Sequence, residues 1–201
     1  MEDIRGEYSK RKQAIKARLE DFSKIKEADY FYEMCFCICT PQSSALKSDK
    51  AVKSLIENDF KNKKLEPSKH LVKAGVRFHK NKGEYLKELK QNYPVLLNKI
   101  KNTPDQFELR EFLVNNVKGY GYKEASHFLR NIGKRDLAIL DRHILKNLKN
   151  LKAIPEVPKT LTKKKYLELE EKFKQFSNKV KIPIDELDLL FWSQETGEIF
   201  K

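Results

Sequence analysis

The stretch that most constrains this chain is residues 109 to 132, where two helical patterns meet across a very short hairpin. Leu109, Leu113 and Val117, with Phe112 alongside, form an i, i+4 apolar stripe that stops at Lys118-Gly119-Tyr120-Gly121. A second stripe, Ala125, Phe128, Leu129 and Ile132, begins at once, and Gly133 supplies its C-terminal stop. A Gly-x-Gly turn at a helix start presents backbone N–H groups where the helix dipole favours an anion, and glycine lets a phosphate approach closely. Val117, Gly119 and Gly121 are therefore candidate contacts to a nucleic-acid backbone, made without reading base sequence. An ordinary αα-turn has the same spacing, so the hairpin alone does not identify the partner.

Charge supplies the next constraint. The 201 residues carry 42 Lys and Arg against 29 Asp and Glu, a formal net charge of +13, with basic residues spread along the whole chain. A polyanion is the natural partner of such a surface, through counterion release; a Lys-rich proteome gives the same balance. No apolar run approaches the roughly 18 to 20 residues of a membrane span. The N-terminal MEDIRGEYSKRKQ lacks a secretory h-region, so an intracellular protein without membrane contact is expected. Cys35, Cys37 and Cys39 are expected to be reduced core residues. No Cys or His cluster elsewhere completes a zinc or iron–sulfur set, and neither metal nor organic cofactor is expected.

Helical periodicity dominates, and the expected fold is all-α. A basic first helix over 8–26 precedes an apolar one over 28–40 that should be buried on all sides. Thr40-Pro41-Gln42-Ser43-Ser44 breaks it, and an amphipathic helix resumes over 45–59. Helices are also expected at 68–75, 81–92 and 94–101, the last two divided before Pro94. After Gly133 comes a short apolar connection, Leu137 to Leu140, and then Asp141 at an N-cap position ahead of the Ile144, Leu145, Leu148 and Leu151 stripe. Thr162 caps a helix whose face is Tyr166, Leu169, Phe173 and Phe176. Asp185 opens a last helix carrying Leu189, Leu190 and Trp192, which stops near Gly197.

Two residues near the hairpin can carry chemistry. Lys123 stands in the first turn of the second hairpin helix, where the positive helix end and nearby basic groups disfavour its ammonium, as partial burial would. A neutral amine there is a nucleophile. Asp141 caps the next helix, a role worth about 0.5 to 2 kcal/mol, and a carboxylate held so rigidly could also stabilise positive charge developing on a sugar. Taken singly, Lys123 is one cation among many and Asp141 a good helix cap.

At these residues the chain resembles a known family. LVNNVKGYGYKEASHFLRNIG (113–133) followed by LAILDRHIL (137–145) looks like the helix-hairpin-helix-Gly/Pro-Asp DNA glycosylases. With LDLLFWSQETGEIFK (187–201), these blocks are similar to the archaeal-type 8-oxoguanine DNA glycosylases, also found in some bacteria, over about residues 28 to 201.

The resemblance implies two helical lobes flanking a DNA-binding cleft within one functional unit of residues 1–201. It implies a bifunctional enzyme, glycosylase and AP lyase, acting on double-stranded DNA that contains 8-oxoguanine, as a monomer in the nucleoid of a prokaryotic cell. Lys123 would be the Schiff-base nucleophile and Asp141 the essential aspartate, with His143 near a DNA phosphate. Gln42, in a turn whose wording departs from the family's, would fill the gap left by the extruded base. Phe78 and Trp192 resemble the pocket aromatics that sandwich that base, although His79 departs from the pattern beside Phe78. A C-terminal lysine is a hallmark of the group, matched by Lys201. A terminal carboxylate there would accept a hydrogen bond from N7–H of 8-oxoguanine and repel the bare N7 of guanine.

Two rivals remain at this point: a glycosylase for another lesion, such as thymine glycol or a mispaired adenine, and a non-catalytic helix-hairpin-helix module. The first commonly carries an iron–sulfur cluster near the C-terminus, whereas all three cysteines here lie before residue 40. The pairing of Lys123 with Asp141 disfavours the second.

Overall fold

A computed structural model describes residues 2–201, and among them the regular structure is entirely helical. In chain order the helices are α1 (Glu2–Ser23), α2 (Tyr30–Cys39), α3 (Ala45–Glu57), α4 (Pro67–Lys73), α5 (His79–Asn102), α6 (Gln106–Asn116), α7 (Tyr122–Asn131), α8 (Arg142–Asn150), α9 (Lys163–Val180) and α10 (Ile184–Thr196). They form two compact units: residues 25–128, and residues 1–24 with 129–201. No helix among the described residues is long and apolar enough to cross a membrane.

In the 25–128 unit the core is built on α2, whose Phe31, Met34, Cys35, Phe36, Cys37, Ile38 and Cys39 are all buried, as an all-round apolar helix requires. The cysteines are free thiols, and burial pushes Cys35 and Cys39 up, the latter to about 12, which leaves them inert as nucleophiles. Tyr120 of the hairpin is buried too and donates its hydroxyl to Met34 O at 3.2 Å, anchoring the turn to α2.

The expected break before Pro94 does not occur: α5 runs unbroken from His79 to Asn102. Its buried face, Leu86, Leu89, Tyr93, Leu96 and Ile100, keeps helical spacing straight through the proline. Pro94 is exposed, so water can serve the carbonyl it leaves unpaired. Burying five large side chains, at about 1.5 to 3 kcal/mol each, outweighs a proline cost of about 3 kcal/mol.

In the other unit α10 is flanked by α1, α8 and α9. Arg130 and Asp188 form a buried ion pair at 2.7 Å, with the Arg130 guanidinium also over the Phe22 ring. Gly133 ends α7 as expected: at φ +88 it allows Lys134 N–H to reach Leu129 O, and a Cβ there would meet Ser23 Cα at 2.9 Å. The last helix starts slightly earlier than the sequence suggests. Pro183 takes the cap position, and Asp185 sits buried in the first turn, where it accepts the Asp136 N–H at 3.1 Å.

Candidate catalytic and nucleic-acid-binding residues

The hairpin is shaped by groups that the sequence only partly reveals. Val117 is buried, its N–H donating to Leu113 O and its carbonyl accepting from Tyr120 N–H, so it forms the turn from beneath. Gly119 is exposed at φ +88, and a Cβ on it would fall 2.6 Å from a Tyr85 ring carbon, so no other residue fits without displacement. Gly121 N–H is not free for a ligand: it donates to Glu124 Oε2 at 3.1 Å, the return half of a capping box.

Glu124 does a second thing. Its other oxygen, Oε1, lies 3.3 Å from Lys123 Nζ, so one carboxylate closes the start of α7 and holds the candidate nucleophile, an opposite charge that the expected electropositive surroundings of Lys123 did not include. The Lys123 side chain keeps 23% of its exposure, enough to reach a partner from a largely covered position. The Gly121-x-x-Glu124 spacing was the signal for this cap in the sequence.

Asp141 has extended backbone, φ −90 and ψ 179, and its Oδ1 accepts from both His143 N–H and Ile144 N–H at 2.8 Å. Its Oδ2 takes no hydrogen bond among the described residues, so capping uses only half of the carboxylate. What holds Asp141 in place is the buried Leu137–Leu140 connection, whose backbone is served by side chains in lieu of a sheet. Ala138 N–H donates to Glu170 Oε1 at 2.9 Å, Tyr166 OH donates to Ala138 O at 2.7 Å, and Leu140 N–H donates to Tyr166 OH at 3.3 Å.

His143 and Trp192 come together, ring centroids 5.3 Å apart and edge to face. Glu195 Oε2 lies 3.5 Å from His143 Nδ1, and Lys146 contacts the same carboxylate at 3.1 Å. Trp192 is half-buried, neither core nor free surface. Lys201 is half-buried beyond Gly197, which ends α10 at φ +81.

Gln42 and Phe78 share an unusual backbone with Asp59 of the same unit, but Asp59 is half-buried. Gln42 and Phe78 are non-glycine residues in left-handed backbone, φ +54 and +57, and both are exposed, Phe78 by 52%. The Arg77 guanidinium lies 5.5 Å from the centroid of the half-open Phe78 ring.

The fold and these residues define a class: an all-helical helix-hairpin-helix protein with a lysine at the second hairpin helix and a capping aspartate one helix later. The model of the 8-oxoguanine DNA glycosylase family matches residues 15–182, and the chain belongs to that family. The chain is 45% identical to the 8-oxoguanine DNA glycosylase/AP lyase of Fusobacterium nucleatum, over 99% of this chain and 96% of that one. The crystal structure of the 8-oxoguanine DNA glycosylase of Thermotoga maritima superposes with a TM-score of 0.89 at 35% identity, covering 100% of this chain and 97% of that one. The Methanocaldococcus jannaschii 8-oxoguanine glycosylase/lyase, solved with a 15mer DNA containing 8-oxoguanine, gives 0.89 at 33% identity with both chains fully covered.

Proposed function

We propose that this chain is a bifunctional DNA glycosylase/AP lyase that excises 8-oxoguanine from double-stranded DNA. The observation that carries the reading is Lys123, held by Glu124 at the head of a phosphate-binding type of hairpin, in a chain of this family. The net charge of +13 supports a DNA partner. We assign backbone contact to the hairpin, with Gly119 at its surface and Val117 and Gly121 shaping it, and further phosphate contact to His143. Gln42 fills the place of the extruded nucleotide. Phe78, Trp192 and Lys201 contact the extruded base.

In the reaction the neutral Lys123 amine attacks C1′, and the N-glycosidic bond breaks with its electron pair going to the base, which picks up a proton. Asp141 stabilises the positive charge that develops on the sugar; its unengaged Oδ2 suits it to the task. Loss of the amine proton and opening of the ring give a Schiff base between Lys123 and the sugar. Removal of a C2′ proton then expels the 3′ phosphate by β-elimination, and water releases the lysine. The protein acts as a monomer on nucleoid DNA.

The test is direct. Duplex oligonucleotides containing 8-oxoguanine, guanine or thymine glycol are incubated with the protein, and base release and strand cleavage are followed separately. The reading expects both events on 8-oxoguanine; cleavage of thymine glycol in its place, or binding with no cleavage of any duplex, overturns it.

A further inference from the structure

Lys82 is the most buried lysine side of α5: only 4% of it is exposed, and it lies one turn after Phe78. Its ammonium has three donors, and three acceptors meet them: Cys39 O at 2.7 Å, Pro41 O at 2.7 Å and Ser43 Oγ at 3.2 Å. All three belong to the end of α2 and the turn that carries Gln42. The Ser43 hydroxyl oxygen also accepts the N–H of Arg77 at 3.0 Å, the residue immediately before Phe78. One ammonium and one hydroxyl therefore tie the Gln42 turn to the Phe78 junction. The tie has a firm base, because a Cβ on neighbouring Gly83 would fall 2.9 Å from Ser68 Cβ, so α5 starts in close contact with α4.

Those two junctions hold the left-handed Gln42 and Phe78. Left-handed backbone also occurs at Asp59, Asp136, Lys152 and Lys181, so what sets Gln42 and Phe78 apart is that Lys82 and Ser43 tie their two junctions together. A cation here costs desolvation but also satisfies the Cys39 and Pro41 carbonyls and Ser43 Oγ, which an apolar side chain of similar volume would leave unpaired, so its structural and its positioning roles have to be separated by experiment. Burial indeed pushes Lys82 down to about 8, with Lys123 and Arg77 acting in the same direction and Cys39 and Glu124 opposing. Lys82 is thus within electrostatic reach of the nucleophile while its own donors are fully committed to the turn.

We propose that Lys82 is a positioning residue for base extrusion: by holding the carbonyls of Cys39 and Pro41 and the Ser43 hydroxyl, it fixes Gln42 and Phe78 as one pre-organised element that engages the DNA around the lesion. The proposal rests on the glycosylase reading and adds to it a residue that does not touch the reacting atoms. It separates two steps, because extrusion of a base needs the pre-formed element and attack on a sugar that has no base does not.

The experiment compares the full-length wild type with Lys82→Met, Ser43→Ala, Gln42→Ala and the Lys82→Met/Gln42→Ala double variant on two duplexes. Single-turnover excision is measured on 8-oxoguanine, and borohydride trapping on an abasic site. The ratio of excision to trapping should fall roughly ten- to hundredfold in Lys82→Met, the scale of a misplaced positioning group. It should fall less in Ser43→Ala, and the double variant should be no worse than Lys82→Met alone. An unchanged ratio, both activities falling together, or additive losses with Gln42→Ala would overturn the assignment, since a purely structural lysine gives those results. Should Lys82→Met fail to fold, the ratio in Ser43→Ala decides alone. A wild type inert on both duplexes overturns the glycosylase reading and the proposal with it. A wild type active on both, with variants of unchanged ratio, overturns the positioning role only.

Discussion

Asp141 Oδ1 lies 2.8 Å from the Ile144 amide nitrogen and accepts its N–H, while Oδ2 of the same carboxylate takes no bond from the described residues. The two oxygens can therefore be tested apart. Asn caps helices about as well as Asp, so Asp141→Asn should unfold within a few degrees of wild type. Its excision rate should nonetheless fall on the order of a hundredfold or more, the usual cost of removing a preorganised electrostatic group. Asp141→Ala should lose the same activity and in addition about 0.5 to 2 kcal/mol of stability. Thermal melts and single-turnover assays on both variants check this. Activity that tracks stability would reduce Asp141 to a cap.

The two hairpin glycines should respond differently to alanine. Gly119 has φ +88 and the Tyr85 ring at 2.6 Å from any added Cβ, whereas the nearest atom to a Cβ on Gly121 is a movable Glu124 oxygen at 3.2 Å. Gly119→Ala is expected to cost about 1 to 3 kcal/mol and to weaken DNA binding; Gly121→Ala should cost less. Denaturant melts and binding titrations at one fixed salt concentration provide the comparison. Equal effects would mean that the hairpin tolerates the strain.

Asp185 makes a pH prediction. Burial is the main cause that raises its carboxyl, opposed by the Asp136 N–H and by Arg135 and Arg130, and Oδ1 has no hydrogen-bond partner. A raised carboxyl stays protonated in the folded state after the unfolded chain has lost its proton. Unfolding free energy therefore falls as pH rises through the folded value, and the charged form costs stability at neutral pH. Asp185→Asn, which keeps an acceptor for Asp136 N–H, should melt higher than wild type at pH 7, with the advantage shrinking toward pH 4. A variant that is less stable at every pH would contradict this.

Breaking the Arg130–Asp188 pair should be costly in one direction only. Both partners are buried at 2.7 Å, so Asp188→Leu strands a guanidinium and is expected to lose about 3 to 5 kcal/mol. Replacing both by Met and Leu should recover much of that loss, and a double-mutant cycle by denaturant unfolding measures it.

These residues also show what a sequence can and cannot convey. The hairpin, the Gly133 stop, the Asp141 cap and the buried α2 were legible because each is local: a period, a turn residue or a capping spacing. The continuity of α5 was not, because the exposure of Pro94 depends on which face the rest of the unit covers. Lys82 was illegible for a stronger reason. Within His79-Lys80-Asn81-Lys82 it is one of two lysines, and only the tertiary approach of Cys39 O, Pro41 O and Ser43 Oγ distinguishes it. Glu124 could have been read from its Gly121-x-x-Glu spacing, but its contact with Lys123 joins adjacent residues, which no periodicity marks. The roles of Gln42 and Phe78 came from resemblance; their left-handed backbone is shared with Asp59, Asp136, Lys152 and Lys181, and it is the tie through Lys82 and Ser43 that sets them apart.

The central claim is that Lys123 becomes covalently bound to the sugar of an excised 8-oxoguanine. Borohydride added during turnover on an 8-oxoguanine duplex should trap a protein–DNA adduct, with peptide mass spectrometry locating the sugar on Lys123, and Lys123→Gln should trap none. An adduct on another residue, or equal trapping by Lys123→Gln, would contradict the account.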